Sequence, residues 1–157
     1  MNTRSIIGHI GGVALFFTCS ASLGDDGCSK AYDSATDSAS FERCRALALA
    51  GEKSAQMGYG LILWSGYDRT PDRAEALKWW RRAAHQSYLP AQIALADLLG
   101  HPELEPALRN DVEAYAWRSA LGQLRQASEL WKTFSPEQRQ RAMRLAEEFK
   151  AKYVVPK

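Results

Sequence analysis

Cysteine, histidine and proline are sparse in this 157-residue chain, at three, three and six residues, and neither sign of charge predominates. Twenty Lys and Arg against 18 Asp and Glu leave a formal charge of +2. That gives no general basic field with which to hold nucleic acid or an anionic membrane. Three histidines, at positions 9, 85 and 101, stand in no ligand spacing with any cysteine, so neither a metal centre nor a cofactor is expected. Long apolar runs are missing too. The one candidate, from Ile6 to Phe17, is interrupted by Gly8, His9, Gly11 and Gly12 and is shorter than the roughly 20 residues that span a bilayer. What remains, 46% apolar and 24% charged, is the composition of one ordinary globular domain.

The interrupted apolar run has its own reading. Arg4 precedes it, and Ser20, Ala21, Ser22 and Gly24 follow, which is the outline of a secretory signal peptide over residues 1–22. Cleavage is expected between about residues 21 and 24, leaving no membrane span and placing the protein in the periplasm or outside the cell. Lipid attachment at Cys19 is the alternative, but Phe16-Phe17-Thr18 stands where such sites carry a small residue beside the cysteine. Cleavage removes Cys19 and leaves Cys28 and Cys44, an even pair in a compartment that permits disulfides. A bridge between them would tie the polar N-terminal segment, residues 23–40, to the first helix. No CxxC spacing supports a redox role.

From Phe41 onward, alanine and apolar positions recur at three and four residues, β-branched runs are almost absent, and the pattern is all-α. Gly51 ends a first helix carrying Cys44, Leu47 and Ala48. A second runs from about Lys53 to Trp64 and stops at Ser65-Gly66. Thr70-Pro71 opens a third, with Pro71 expected at the first helical position and Ala74, Leu77, Trp80 and Ala84 on its apolar stripe. A fourth, from Leu89-Pro90 to Gly100, carries Ile93, Leu95, Leu98 and Leu99. After the longest connection, His101 to Arg109, Asn110 and Glu113 have the spacing of a capping box ahead of Ala114, Trp117, Ala120 and Leu121. A short helix through Leu130 and Trp131 follows. The last begins at Ser135, with Pro136 and Gln138 completing its box, and carries Ala142, Leu145, Ala146, Phe149 and Tyr153.

The helices repeat in pairs. Ala55-Gln56 returns as Ala91-Gln92, Leu63 as Leu99 and Gly51 as Ser87, each 36 residues on. Asp72 to Trp79 returns as Asn110 to Trp117 at 38, the two extra residues falling between Gly100 and Arg109. A two-helix period in the mid-thirties describes an α-solenoid, in which each hairpin buries its face only against its neighbours. The segment Asp72-x-x-Glu75-Ala76-x-x-Trp79-Trp80-x-x-Ala83-Ala84-x-x-Ser87-x-x-x-Ala91-Gln92-x-x-Leu95 resembles the core pattern of the Sel-one-like repeats, relatives of the tetratricopeptide repeat. Ser87 and Ala96 stand where that pattern has glycines. Gly51-x-x-x-Ala55-Gln56-x-x-Tyr59-Gly60 is similar to its second half. The resemblance implies a short right-handed solenoid of two to three repeats plus a C-terminal capping helix, over residues 41–153, with residues 154–157 as a tail.

For function, the resemblance implies a non-enzymatic scaffold of the cell envelope that takes a peptide or protein partner on the concave face. With the family's register, Gln56, Tyr59, Gln92 and Asp97 are the candidate contacts. The competing class is an enzyme acting on a cell-wall-related substrate or a β-lactam, as attributed to cysteine-rich secreted relatives. Those relatives are described with a disulfide in each repeat, whereas both cysteines here lie at the N-terminal edge, and no Ser-x-x-Lys pair with supporting motifs precedes a helix. Trp79, Trp80 and Trp117, at helical spacing among alanines, read as core. Glu103 and Glu105 read as a solvated turn, and His85 and His101 as surface residues. Arg81-Arg82 and the set Arg139, Arg141 and Arg144 alternate with acids and read as solvated helix faces.

Overall fold

The structure, a computed structural model, describes residues 6–10, 13–17, 28, 38–66 and 70–155. Cys19, the expected cleavage point and most of the polar segment lie outside the described residues. From residue 38 onward the described chain is helical: α1 Ser38–Leu49, α2 Lys53–Ser65, α3 Arg73–His85, α4 Leu89–Leu98, α5 Asp111–Ala120, α6 Leu124–Thr133 and α7 Pro136–Lys152. The strands among the described residues, β1 Ile6–Ile10 and β2 Val13–Phe17, lie within the run read as a signal peptide and pair antiparallel, Ile6 opposite Phe17. No helix among the described residues is long and apolar enough to cross a membrane.

The chain divides into two compact units, residues 1–83 and 84–157. In the first, α1 packs against α2, and Cys28, Cys44, Ala48, Ala55, Tyr59, Ile62 and Trp79 form a buried cluster flanked by Phe41, Leu47 and Leu63. Cys28 and Cys44 are joined by a disulfide. In the second unit, α5 packs against α4, α6 and α7. Trp117 is fully buried, with the Phe149 ring 4.0 Å away.

Local chemistry places the helix ends. Ser135 caps α7 with both halves of the box in place: its hydroxyl accepts from the Gln138 amide, and its own amide donates to Gln138 Oε1 at 2.8 Å. Asn110 accepts from the Glu113 amide at 3.1 Å, but its own amide donates to the Leu99 carbonyl, so only half of that box forms. The third helix begins later than Thr70-Pro71 suggested. Asp72, not Pro71, closes its first turn, accepting from the Glu75 amide at 2.9 Å while its own amide donates to the Leu63 carbonyl. A carboxylate at the N-cap satisfies an otherwise orphaned donor, which a proline one residue earlier does not do. The buried stripe of α3 is Ala76, Leu77, Trp80, Ala83 and Ala84, and Ala74 is exposed.

Candidate functional site

The residues that repeat along the sequence repeat in their bonding. Gln56 Nε2 donates to the Ala48 carbonyl at 3.3 Å, and 36 residues later Gln92 Nε2 donates to the Ala84 carbonyl at 3.1 Å. Each amide thus ties the second helix of a hairpin to the last turn of the first. The Asp72 amide reaches the Leu63 carbonyl and the Asn110 amide reaches the Leu99 carbonyl, both at 2.9 Å, so the helix-to-helix turn also recurs across the change of spacing.

Three of the four candidate contacts are therefore interior. Gln56 and Gln92 are 5% and 2% exposed and hydrogen-bonded, and Gln92 also donates to the Tyr153 carbonyl at 2.7 Å, holding the end of α7 in place. Tyr59, 8% exposed, lies between Phe41 and Trp79, its ring 5.5 and 5.3 Å from theirs. Their expected exposure in an open groove is corrected: a buried amide must be satisfied, and these are satisfied by the fold itself. Asp97 is the exposed member of the set. Partial desolvation raises the pKa of its carboxyl above the ordinary value, against the opposing pull of Arg118.

The tryptophans are core, as expected. Trp80, 1% exposed, stacks on Trp64 at 5.3 Å and donates from Nε1 to the Met57 carbonyl at 3.1 Å. Its indole lies so close to Gly60 that a Cβ there would collide with Nε1 and Cδ1. The corresponding place in the next hairpin has Ala96, fully buried, and there the partner is Arg118, whose Nε donates to the Ala96 carbonyl at 2.9 Å. A slender guanidinium leaves room for a methyl group where a broad indole does not.

Two surface readings need adjustment. His85 is exposed, but its ring stacks on Tyr153 at 4.5 Å, and Trp117 and Phe149 lie 6.1 Å away. Arg82 lies over the Trp79 ring at 4.2 Å and Arg139 over Trp131 at 5.3 Å, so each covers an aromatic face rather than standing wholly in solvent. Glu103 and Glu105 are exposed on the connection between α4 and α5.

No family model and no curated protein matches the chain. Among solved structures, it is similar to the crystal structure of a protective antigen present in uropathogenic Escherichia coli strains and displaying a Sel-one-like repeat fold. The two share 26% identity with a TM-score of 0.64, over 86% of this chain and 32% of the other. The fold is that of a Sel-one-like repeat protein. This chain spans about a third of the length of the antigen it matches.

In the Sel-one-like pattern, Gly51 and Ser87 hold the same turn position, and both have positive φ, +99° and +59°. Glycine takes that conformation without a steric penalty and serine does not. Ser87→Gly is accordingly expected to stabilise the fold by about 0.5–1 kcal/mol, after allowing for the greater unfolded-state freedom of glycine. Urea unfolding of the two proteins checks this, and a lower midpoint for the glycine variant would contradict it.

Proposed function

We propose that this Sel-one-like repeat chain is a non-enzymatic interaction module of the bacterial cell envelope, periplasmic or secreted, that binds a peptide or protein partner. One observation carries the reading. The side chains that recur at 36 residues, Gln56 with Gln92 and Ala48 with Ala84, are spent on closing the hairpins, whereas exposed positions differ between repeats. Helix α4 shows this: Leu89, Ile93 and Asp97 follow one another at four-residue spacing, exposed, half-buried and exposed. Their counterparts 36 residues earlier are the exposed Lys53, the buried Met57 and the half-buried Leu61, so the like-for-like exposed difference is Leu89 against Lys53. A face that varies while the scaffold repeats is how solenoids carry specificity. The disulfide and the apolar N-terminal run with its small-residue border support an oxidising compartment.

Asp97, with Leu89 and Ile93 beside it, is the contact retained from the sequence. Gln56, Tyr59 and Gln92 act indirectly, by holding the helices. With a photoreactive residue at position 97, irradiation of intact cells is expected to capture one defined partner, and Leu89→Glu is expected to reduce that capture at least about tenfold, the effect of losing one buried apolar anchor. Labelling that is the same in both, or turnover of a chromogenic β-lactam by the purified protein that one substitution abolishes, would overturn the reading.

A further inference from the structure

In the second unit, α4 and α6 begin in the same way. Ser87, at φ +59°, stands two residues before Leu89, the first residue of α4, and Gly122, at φ +78°, stands two residues before Leu124, the first residue of α6. That turn gives the two helices a common register, in which Leu89, Ile93 and Asp97 correspond to Leu124, Ser128 and Lys132. Both leucines are exposed, 49% and 67%. The two charges are met differently. Lys132 Nζ donates to both oxygens of Glu129, at 2.8 and 2.9 Å. The Asp97 carboxylate has no hydrogen bond or ion pair among the described residues. Arg118 pulls on it from α5, but that guanidinium is turned to main chain: Nε donates to the Ala96 carbonyl at 2.9 Å and Nη1 to the Gln126 carbonyl at 3.3 Å. Ala96 is in the last turn of α4, so this cation serves the negative end of the helix. Asp97 stands in the same turn, where the dipole disfavours a carboxylate. Its surroundings also remove part of its water, and that loss outweighs the pull of Arg118 and raises the pKa of the carboxyl.

We propose that α4 and α6 take an extended, basic segment of a protein partner, with a Lys or Arg on Asp97 and an apolar side chain, about four residues away, on Leu89 and Leu124. A carboxylate short of both water and a counterion is stabilised by an incoming cation, whereas a neutral or acidic segment leaves its cost in place. Arg118, bonded to a carbonyl on each helix, holds α4 and α6 together, so the leucines of successive hairpins offer one apolar seat. The spacing follows from helix geometry. Asp97 is eight residues beyond Leu89, about 12 Å along the helix, and an extended chain covers that distance in about four residues. The inference rests on the reading of α4 as the partner-binding face and names the chemistry which that face selects.

The test is selection of phage-displayed random dodecapeptides on the purified protein, with Asp97→Lys and Leu89→Glu as parallel targets. The native protein is expected to enrich peptides with Lys or Arg about four residues from an apolar residue, and Asp97→Lys to enrich peptides with Asp or Glu in that place. A synthetic peptide from the native set, followed by fluorescence anisotropy, is expected to bind Asp97→Lys at least about tenfold more weakly, because like charges then face each other. The substitution is at an exposed position and removes an acid from the negative end of a helix, so the thermal midpoint is expected not to fall. A native set without a basic residue, or the same set selected by Asp97→Lys, would overturn the charge assignment. If Leu89→Glu still loses that set, the reading of α4 as the partner-binding face stands. A set that Leu89→Glu also retains, or no enrichment above the bare support, would overturn both.

Discussion

Trp80→Ala is expected to destabilise the protein by about 3–5 kcal/mol, a large part of the total stability of a domain this size. The indole is among the largest fully buried side chains, stacks on Trp64, and supplies the donor for the Met57 carbonyl. Removing it leaves a cavity and takes away a second donor from a carbonyl that the helix already bonds. Gly60→Ala approaches the same contact from the other side. Its new methyl group meets the indole and the Ala76 carbonyl, the latter at 3.2 Å, and overpacking of this kind costs about 1–3 kcal/mol. Because one atom cluster is responsible for both effects, they are expected not to add: in the Trp80→Ala background, Gly60→Ala should cost much less. Thermal and denaturant unfolding of the four proteins measures the coupling. Strict additivity would mean that the close approach of Gly60 and Trp80 carries no energetic weight.

Loss of the Cys28–Cys44 bridge is expected to cost about 3 kcal/mol, the chain-entropy value for a loop of roughly this length. The effect should be a lower thermal midpoint and not a loss of helical signal at room temperature, since the buried cluster around the second unit's Trp117 is independent of the bridge. Both cysteines lie in the core, 2% and 0% exposed, and Gly58 packs on them so closely that a Cβ there would stand 2.9 Å from Cys28 Cβ. The native protein is therefore expected to resist thiol reductants until it opens, so that reduction followed by mass spectrometry accelerates steeply with urea. A double Cys→Ser variant with an unchanged midpoint would show that the bridge contributes nothing; one with no helical signal would show that the rest of the stack depends on it.

The helices themselves were legible because their signals are local. Ser135-Pro136-Glu137-Gln138 contains the whole capping box of α7, and Ala55-Gln56 against Ala91-Gln92 marks the repeat without any knowledge of contacts. Even the cysteine pairing followed from counting. The site was less legible, and the reason lies in the same repetition. The family's register placed Gln56, Tyr59 and Gln92 on the binding face, but a polar group on an otherwise apolar helix suits an internal tie as well as a binding face. For the two glutamines the distinguishing signal was present in the sequence: a polar residue that returns in each repeat beside the same alanine is serving the scaffold, whereas Tyr59, whose counterpart is Leu95, gave no such sign. Asp97 has Leu61 as its counterpart and does not return.

By itself, then, the sequence determined the helical class, the two-helix period, most of the boundaries, and the identity of the core tryptophans, because capping chemistry and 3.6-residue periodicity act over a few residues at a time. Only the tertiary structure decided what those residues do to one another. Ala96 replaces glycine where Arg118 replaces Trp80, Gln92 reaches across 61 residues to the Tyr153 carbonyl, and the exposed His85 ring stacks on Tyr153. Each of these depends on which chain segments meet in space, and a hydrogen bond or a steric collision between distant residues leaves no periodic trace in the order of the residues that make it.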